Sequence, residues 1–230
     1  MKVEIWSDIM CPFCYIGKRR FETALEQLGI RDRVEVTWKS FQLDPALTPV
    51  PGQSVHQYLA IRKGVSEDEG KQMNAYMSDM AAETGLDYRM DRVIVNNTMD
   101  AHRLLHLAAR HGVQNDVKER LFRAYYTEGR DIGSAEVLLE IGRAAGIAEQ
   151  PLAELLNTDL FRGEVLEDQR EAQQLGVRGV PFFVLNQKYG VSGAQPVEAF
   201  ADMLTKVIEE ETLRPLTGSG PSCDADGNCD

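Results

Sequence analysis

The sequence reads Ser7-Asp8-Ile9-Met10-Cys11-Pro12-Phe13-Cys14 near its amino terminus. Residues 2–7 form a short strand-like run, and the apolar residues that follow the cysteines recur at helical spacing. The cysteines therefore fall at a turn from a strand into a helix. Two cysteines separated by two residues are typical of a redox site. Proline suits the first helical turn because an N–H group at that position has no helical partner to lose.

The predicted chemistry of this segment is that of a reactive thiol pair. Unsatisfied N–H groups and the helix dipole favour an anion at the start of a helix. We therefore expect the pKa of the Cys11 thiol to lie below its ordinary value. Cys11 is expected to be the more exposed sulfur and the nucleophile, while Cys14, one turn inward, is expected to resolve the mixed disulfide.

The order of strand and helix signals along the rest of the chain predicts an α/β fold. Residues 34–38 alternate between apolar and polar, as in a half-buried strand. A long and mainly helical stretch follows, with a capping-box pattern at Ser66 and Glu69. Residues 181–185 and 189–192 are predicted strands, and residues 196–211 are a predicted helix. The chain thus has the order β–α–β, a helical insertion, then β–β–α.

Composition excludes several classes of protein. The chain has 230 residues, four cysteines and a net charge of −11, so it is neither a disulfide-stapled scaffold nor a basic nucleic-acid binder. It has no apolar run long enough to suggest a membrane span. The first residues lack the pattern of a secretory signal, which predicts a cytoplasmic location. In that compartment a Cys-x-x-Cys segment is more often catalytic or metal-binding than structural.

A metal site is not predicted, and neither is any other cofactor. Zinc usually requires a second close cysteine pair or a cysteine–histidine pair, whereas Cys223 and Cys229 are separated by five residues. His102 and His106 share a helical face, but Arg103 stands where a zinc protease has glutamate. His102 is instead expected to make a local polar contact near the cysteines.

Four segments, in the same order, resemble the DsbA family and more closely its FrnE-like branch. They are residues 7–18, 38–45, 97–103 and the run Gly179-Val180-Pro181-Phe182-Phe183. The resemblance covers residues 1–212 and implies a thioredoxin-like fold with an inserted all-helical domain. The implied boundaries are residues 1–52 and 177–212 for the thioredoxin-like domain, 53–176 for the helical insertion and 213–230 for a flexible, cysteine-containing tail.

The resemblance also implies roles for residues around the cysteines. The Val180–Pro181 peptide bond is expected to be cis and to pack against the cysteine pair, which leaves the backbone of Val180 to pair with an extended substrate. Phe13 stands where strongly oxidising family members have histidine. Phenylalanine cannot stabilise a thiolate by charge or hydrogen bonding, so we predict a moderate redox potential.

The predicted function is thiol–disulfide exchange with protein or small-molecule thiols, with glutathione or a thioredoxin-type protein as candidate reductants. Two alternatives stand beside it. One is a glutathione-dependent isomerase or kappa-like glutathione transferase, although those proteins have a hydroxyl in place of Cys11. The other is a non-enzymatic, chaperone-like binder that uses an apolar collar around Cys11, predicted to consist of Met10, Trp38, Phe41 and Phe182.

Three further features have two interpretations each. Glu4 is a candidate acceptor for the Cys14 proton, but an exposed strand carboxylate explains it equally well. Cys223 and Cys229 are either an accessory redox pair or tail cysteines without catalytic consequence. The methionines at positions 73, 77 and 80 are expected to pack in the core, with a secondary role in holding varied substrates.

Overall fold

A four-stranded sheet built from β1 (Lys2–Ser7), β2 (Glu35–Ser40), β3 (Phe182–Leu185) and β4 (Tyr189–Ser192) lies at the centre of the molecule. The computed structural model describes residues 1–211 of the chain. The strands lie in the order β2-β1-β3-β4. β1 is parallel to β2 and antiparallel to β3, and β3 is antiparallel to β4. The predicted strands and the α/β class are confirmed.

Two helices cover one face of this sheet. α1 (Pro12–Gln27) connects β1 to β2, and α9 (Val197–Glu211) follows β4 and packs against α1. The core between these helices and the sheet contains a cluster of phenylalanine rings. The Phe183 ring centroid lies 5.4 Å from that of Phe21 and 4.8 Å from that of Phe200. Alternation along β1 directs Val3 and Ile5 into this same core.

The segment between β2 and β3 contains seven α-helices: α2 (Val55–Lys63), α3 (Glu67–Ala82), α4 (Met99–Arg110), α5 (Gln114–Arg123), α6 (Ala135–Ala144), α7 (Glu149–Asn157) and α8 (Arg162–Gln174). Residues Ala124–Glu128 continue α5 as a π-helical turn. Capping boxes begin α2 at Ser54 and α3 at Ser66, so the box predicted at Ser66 is confirmed. The domain boundaries at residues 52 and 176 stay a prediction.

α8 covers the opposite face of the sheet and joins the helical segment to β2. The indole Nε1 of Trp6 donates to the Asp168 carbonyl at 2.9 Å. The Asp168 carboxylate accepts from Lys39 Nζ at 2.9 Å and from the Ser40 N–H at 2.8 Å. Burial would raise the pKa of Asp168, but the hydrogen bonds from His106, Ser40 and Lys39 outweigh it and hold that pKa below its usual value.

Among the helices of residues 1–211, none combines the length and the apolar composition that a bilayer span requires.

Candidate active site

Cys11 and Cys14 lie at the start of α1, as predicted. Cys11 is the residue before the first helical turn, and the N–H of Cys14 donates to its carbonyl at 3.0 Å. Both thiols are free. The two residues are only 3% and 1% exposed, so Cys11 is far less accessible than expected. The sulfurs are close enough for a hydrogen bond between the two thiols.

The segment before β3 packs directly against the cysteines. The Cys11 thiol donates to the Val180 carbonyl, with 3.3 Å between the sulfur and the oxygen. The Val180–Pro181 peptide bond is cis, which confirms the expectation. Gly17 makes this approach feasible, because a Cβ at that position would lie 3.0 Å from Cγ of Pro181 and would crowd the ring. Gly17 therefore belongs to the site, although the sequence analysis gave it no role.

The acidity of Cys11 differs from the expectation. The hydrogen bond with Cys14 and burial raise the pKa of the Cys11 thiol well above its usual value, and the negative charge of Asp8 adds to this effect. The helix start alone would lower that pKa. Burial beneath the helical segment removes the water that would solvate a thiolate. The protonated thiol of Cys11 is therefore favoured while both cysteines are reduced.

A cavity of about 450 Å³ has Cys11 in its wall. Its lining is mainly apolar and comes from both the sheet side and the helical segment, with contributions from Met10, Phe13, Leu43, Met73, Met77, Tyr125, Tyr126 and Val180. Arg62 and Lys63 add positive charge to this lining. The cavity therefore offers an apolar surface with a basic component beside the predicted nucleophile.

The predicted apolar collar is wrong in three of its four members. Of that set, Met10 lines the cavity, whereas Trp38 packs in the core between the sheet and α1. Phe41 and Phe182 pack near Trp6 on the other face of the sheet. Of the three methionines expected mainly in the core, Met77 and Met80 pack against the core of the helical segment. Met73 and Met77 line the cavity, which agrees with their expected secondary role.

Aromatic side chains of α1 and of the helical segment pack together near the cysteines. The rings of Tyr15 and Phe122 stack with their centroids 4.8 Å apart, and those of Tyr88 and Tyr126 stack at 4.3 Å. The Tyr88 hydroxyl donates to the Pro12 carbonyl at 2.7 Å. This contact fixes the backbone between the two cysteines to the helical segment, and the sequence analysis did not identify it.

Asp8 lies in the first of the four family-like segments, and its carboxylate contacts residues of the second and the third. Its Oδ2 accepts from the N–H of Leu43 at 2.7 Å, and its Oδ1 lies 3.3 Å from Nε2 of His102. His102 is fully buried, which lowers its pKa despite the Asp8 carboxylate. The predicted local contact of His102 is confirmed. Within residues 1–211, no group of three or more histidine, cysteine, aspartate or glutamate side chains is arranged to hold a metal ion.

Glu4 does not lie beside the cysteines. Alternation along β1 places it on the sheet face that α8 covers, opposite to α1, and its carboxylate lies 4.0 Å from Lys39 Nζ. Burial raises the pKa of Glu4 above its usual value. Its role as a proton acceptor stays a prediction that this position does not favour. Cys223 and Cys229 lie outside the described residues.

The similarity of the chain to known proteins extends over almost its whole length. The family model described as the DSBA-like thioredoxin domain matches residues 2–205. The chain belongs to this family. The thioredoxin-like fold predicted from the four segments is thereby confirmed, while the closer likeness to the FrnE-like branch stays a resemblance.

Three known proteins illustrate the range of sequence identity among those similar to this chain. A probable DsbA oxidoreductase from Streptomyces coelicolor is 40% identical, with a TM-score of 0.86 over 100% of this chain and 98% of that one. The uncharacterized protein YwbO of Bacillus subtilis is 24% identical over 213 residues, which cover 91% of this chain and 96% of YwbO. The cytosolic disulfide reductase DsbM from Pseudomonas aeruginosa, in its structure with GSH, is 19% identical and shares the fold, with a TM-score of 0.64 over 91% of this chain and 100% of that one.

Proposed function

We propose that this protein is a thiol–disulfide oxidoreductase that reacts through Cys11 as nucleophile and Cys14 as resolving thiol. The observation that carries the proposal is the placement of two free thiols at a helix start, with Cys11 in the wall of an apolar cavity. Membership of the DSBA-like family supports the same chemistry. Pro12 and Phe13 shape the first turn, and Val180 and Pro181 form the opposing surface.

In the reducing direction, the Cys11 thiolate attacks one sulfur of a substrate disulfide. A Cys11–substrate disulfide forms, and the other substrate sulfur leaves with the electron pair and takes a proton. The Cys14 thiolate then attacks the Cys11 sulfur, so that the Cys11–Cys14 disulfide forms and the remaining substrate thiolate departs. The oxidising direction reverses these steps, and no cofactor is needed because the cysteines carry the two electrons.

The Val180 carbonyl has a second use in this scheme. In the dithiol form it accepts the Cys11 S–H at 3.3 Å. Once the Cys11 sulfur is bonded to a substrate, that S–H no longer exists and the carbonyl is free to accept a backbone N–H from an extended substrate chain. The exposed part of Phe13 and the cavity methionines offer apolar contacts to the substrate around this point.

A reducing or isomerising role fits the acidity of Cys11. A strong oxidant needs a stabilised thiolate in its reduced form, whereas burial and Cys14 raise the pKa of Cys11 here and Phe13 offers it no hydrogen bond. We expect equilibration with glutathione to give a potential well below the roughly −120 mV of DsbA. Phe13→His, which supplies a hydrogen-bond donor, should raise the potential. A wild-type potential near that of DsbA would contradict the prediction.

Glutathione is a fitting small reductant on chemical grounds. It combines a thiol with two carboxylates, and the cavity beside Cys11 has Arg62 and Lys63 in its lining. The DsbM structure with GSH supports this choice by analogy of fold. A cytoplasmic location belongs to the same proposal, since a weakly oxidising dithiol suits a reducing compartment. Protein disulfides remain the other substrate class.

Trapping with Cys14→Ser tests the proposed function, in a chain that also carries Cys223→Ser and Cys229→Ser. Without the resolving thiol, the disulfide between Cys11 and a substrate should persist, and we expect a stoichiometric adduct with oxidised glutathione or with a disulfide-bonded peptide. Intact-protein mass spectrometry measures it, and the matched control adds Cys11→Ser. Absence of an adduct on Cys11 would contradict the proposal.

The serine variants of Cys11 and Cys14 also distinguish the proposed function from the two alternative functions. Glutathione-dependent isomerisation that survives Cys11→Ser together with Cys14→Ser would favour the isomerase or transferase. Suppression of aggregation by that double variant, in a protein whose parent cannot reduce insulin, would favour a chaperone-like binder. The accessory role of Cys223 and Cys229 stays a prediction.

A further inference from the structure

One wall of the cavity beside Cys11 is formed by a single face of α2. Val55, Leu59 and Lys63 line the cavity and follow one another at intervals of four residues, so they lie on the same side of the helix. The first two are apolar. Lys63 stands in the last helical turn, just before α2 ends at Gly64, whose φ is 68°. The apolar wall therefore has a basic end.

The charge of this cavity lining is opposite to that of the chain as a whole. Within residues 1–211, the charged side chains in the lining are those of Arg62 and Lys63, and no carboxylate stands among them. The chain itself has a net charge of −11. A cleft lined by one sign of charge raises the local concentration of ligands of the other sign. The lining thus suits an anionic ligand that also has an apolar portion.

The Arg62 guanidinium already has partners within the protein. Its Nη1 lies 2.9 Å from Oδ2 of Asp44, and its Nη2 donates to the Leu43 carbonyl at 3.1 Å. The Tyr58 hydroxyl donates to the same Asp44 oxygen at 3.0 Å. These contacts join α2 to the loop after β2 and give Arg62 a counter-ion. Arg62 therefore contributes to the shape of the cavity more than to its charge.

Lys63 differs from Arg62 because its ammonium is unpaired. Lys63 is exposed, and within residues 1–211 it has neither an ion pair nor a side-chain hydrogen bond. A lysine in the last turn of a helix also stabilises the helix through its dipole, and this effect does not discriminate between ligands. The flexible four-carbon stem of a lysine lets its ammonium follow a bound group. Lys63 therefore supplies the unpaired positive charge of the cavity lining.

We propose that Lys63 is a specificity-determining residue that binds a carboxylate of the substrate, so that the site favours small disulfides with carboxylates on their arms over neutral or cationic ones. The inference rests on the proposed exchange function and names a substrate class for it. The cavity of about 450 Å³ is large enough for one arm of such a molecule, with its apolar portion against Met73 and Met77. The Cys11–Cys14 dithiol loses two electrons and two protons, and the substrate disulfide becomes two thiols.

Three small disulfides of similar size test this preference on the reduced full chain carrying Cys223→Ser and Cys229→Ser. They are dithiodipropionate, which is anionic, hydroxyethyl disulfide, which is neutral, and cystamine, which is cationic. Thiols that remain after each reaction time are alkylated with N-ethylmaleimide and counted by intact-protein mass spectrometry. Each variant is compared with the parent for the same disulfide, so that the intrinsic reactivity of the disulfide cancels.

Lys63→Met keeps an unbranched side chain of similar length and removes the charge. We expect it to lower the ratio of the anionic to the neutral rate constant about 3- to 5-fold, the size of effect that a partly exposed ion pair has. Lys63→Glu should lower the ratio further, on the order of 10-fold, and raise the rate constant for cystamine. The differences from the parent should shrink at high salt, because counter-ions screen exposed charges.

Two controls separate Lys63 from the net charge of the chain and from Arg62. Lys71→Glu changes the net charge by the same amount as Lys63→Glu, but Lys71 lines a different cavity and lies 3.8 Å from Glu67. Its anionic-to-neutral ratio should equal that of the parent. Arg62→Met removes the contacts of α2 with the loop after β2, so we expect it to slow the reactions with all three disulfides by a similar factor.

Two results would overturn the role of Lys63. One is a Lys63→Glu protein whose anionic-to-neutral ratio equals that of the parent. The other is a ratio that falls with Arg62→Met but not with Lys63→Met, which would assign the carboxylate contact to Arg62. Failure of the exchange function looks different, because the parent would then lose thiols to the three disulfides no faster than its Cys11→Ser variant.

Discussion

Cys11→Ser is expected to reduce thiol–disulfide exchange to the uncatalysed rate, a loss on the order of 10³-fold or more. The sulfur of Cys11 lies in the wall of the apolar cavity and contacts the Val180 carbonyl, so it is placed where a substrate sulfur would arrive. A serine hydroxyl in the same position cannot form a disulfide. Initial rates of insulin reduction with glutathione as donor measure the loss.

The control for this loss is Cys14→Ser measured under the same conditions. Without Cys14 the first attack still occurs, so we expect one equivalent of adduct to form at close to the parent rate, followed by little turnover. Both variants are made in a chain that also carries Cys223→Ser and Cys229→Ser, so that exchange at the tail does not contribute. Full activity of Cys11→Ser in that background would place the nucleophile elsewhere.

The fold was predictable because its signals are local. Alternating residues mark β1 and β2, and a proline followed by apolar residues marks the start of β3. The second capping box, at Ser54 and Gln57, was an equally clear signal for α2 that the sequence analysis passed over. Each of these patterns depends on a few neighbouring residues, which is why the order of elements needs no knowledge of tertiary contacts.

The environment of Cys11 was not predictable in the same way. The effect of the helix start on its pKa is local, but burial and the contact with Val180 arise from segments far along the chain. The cavity wall likewise depends on where α3 lies relative to α1, so periodicity could not distinguish Met73 in a core from Met73 at a cavity. The position of Glu4, by contrast, was predictable from the sequence. Val3 and Ile5 mark the sheet face that α1 covers, and alternation along the strand places Glu4 on the opposite face.

Lys118 shows why a lysine on an apolar helical face is easily missed. It lies four residues before Phe122 and three before Leu121, which puts it on the buried side of α5. A lysine in an otherwise polar helix is normally a solvated residue. Only the packing of α5 against β2, which brings Trp38 over its ammonium, reveals that this lysine is enclosed.

Phe183→Ala is expected to cost about 3–5 kcal/mol in the free energy of unfolding. Phe183 is fully buried in β3, and its ring packs against those of Phe21 on α1 and Phe200 on α9. Its removal leaves a cavity between the sheet and both helices, which the surrounding aromatic rings cannot easily fill. Urea denaturation followed by circular dichroism measures the loss, and Tm should fall by on the order of 10 °C.

Phe13→Ala provides the matched control for this prediction, since the same atoms are removed from a side chain that is 36% exposed. We expect Phe13→Ala to lower the free energy of unfolding by well under half as much as Phe183→Ala, because the partly exposed Phe13 side chain loses fewer contacts with other protein groups. Phe183 immediately precedes Val184 and follows the Val180–Pro181 segment by only two residues, so the same substitution loosens the strand that holds Val180 against Cys11. A loss of less than about 1 kcal/mol would mean that the Phe21–Phe183–Phe200 cluster does not form the core that joins the sheet to α1 and α9.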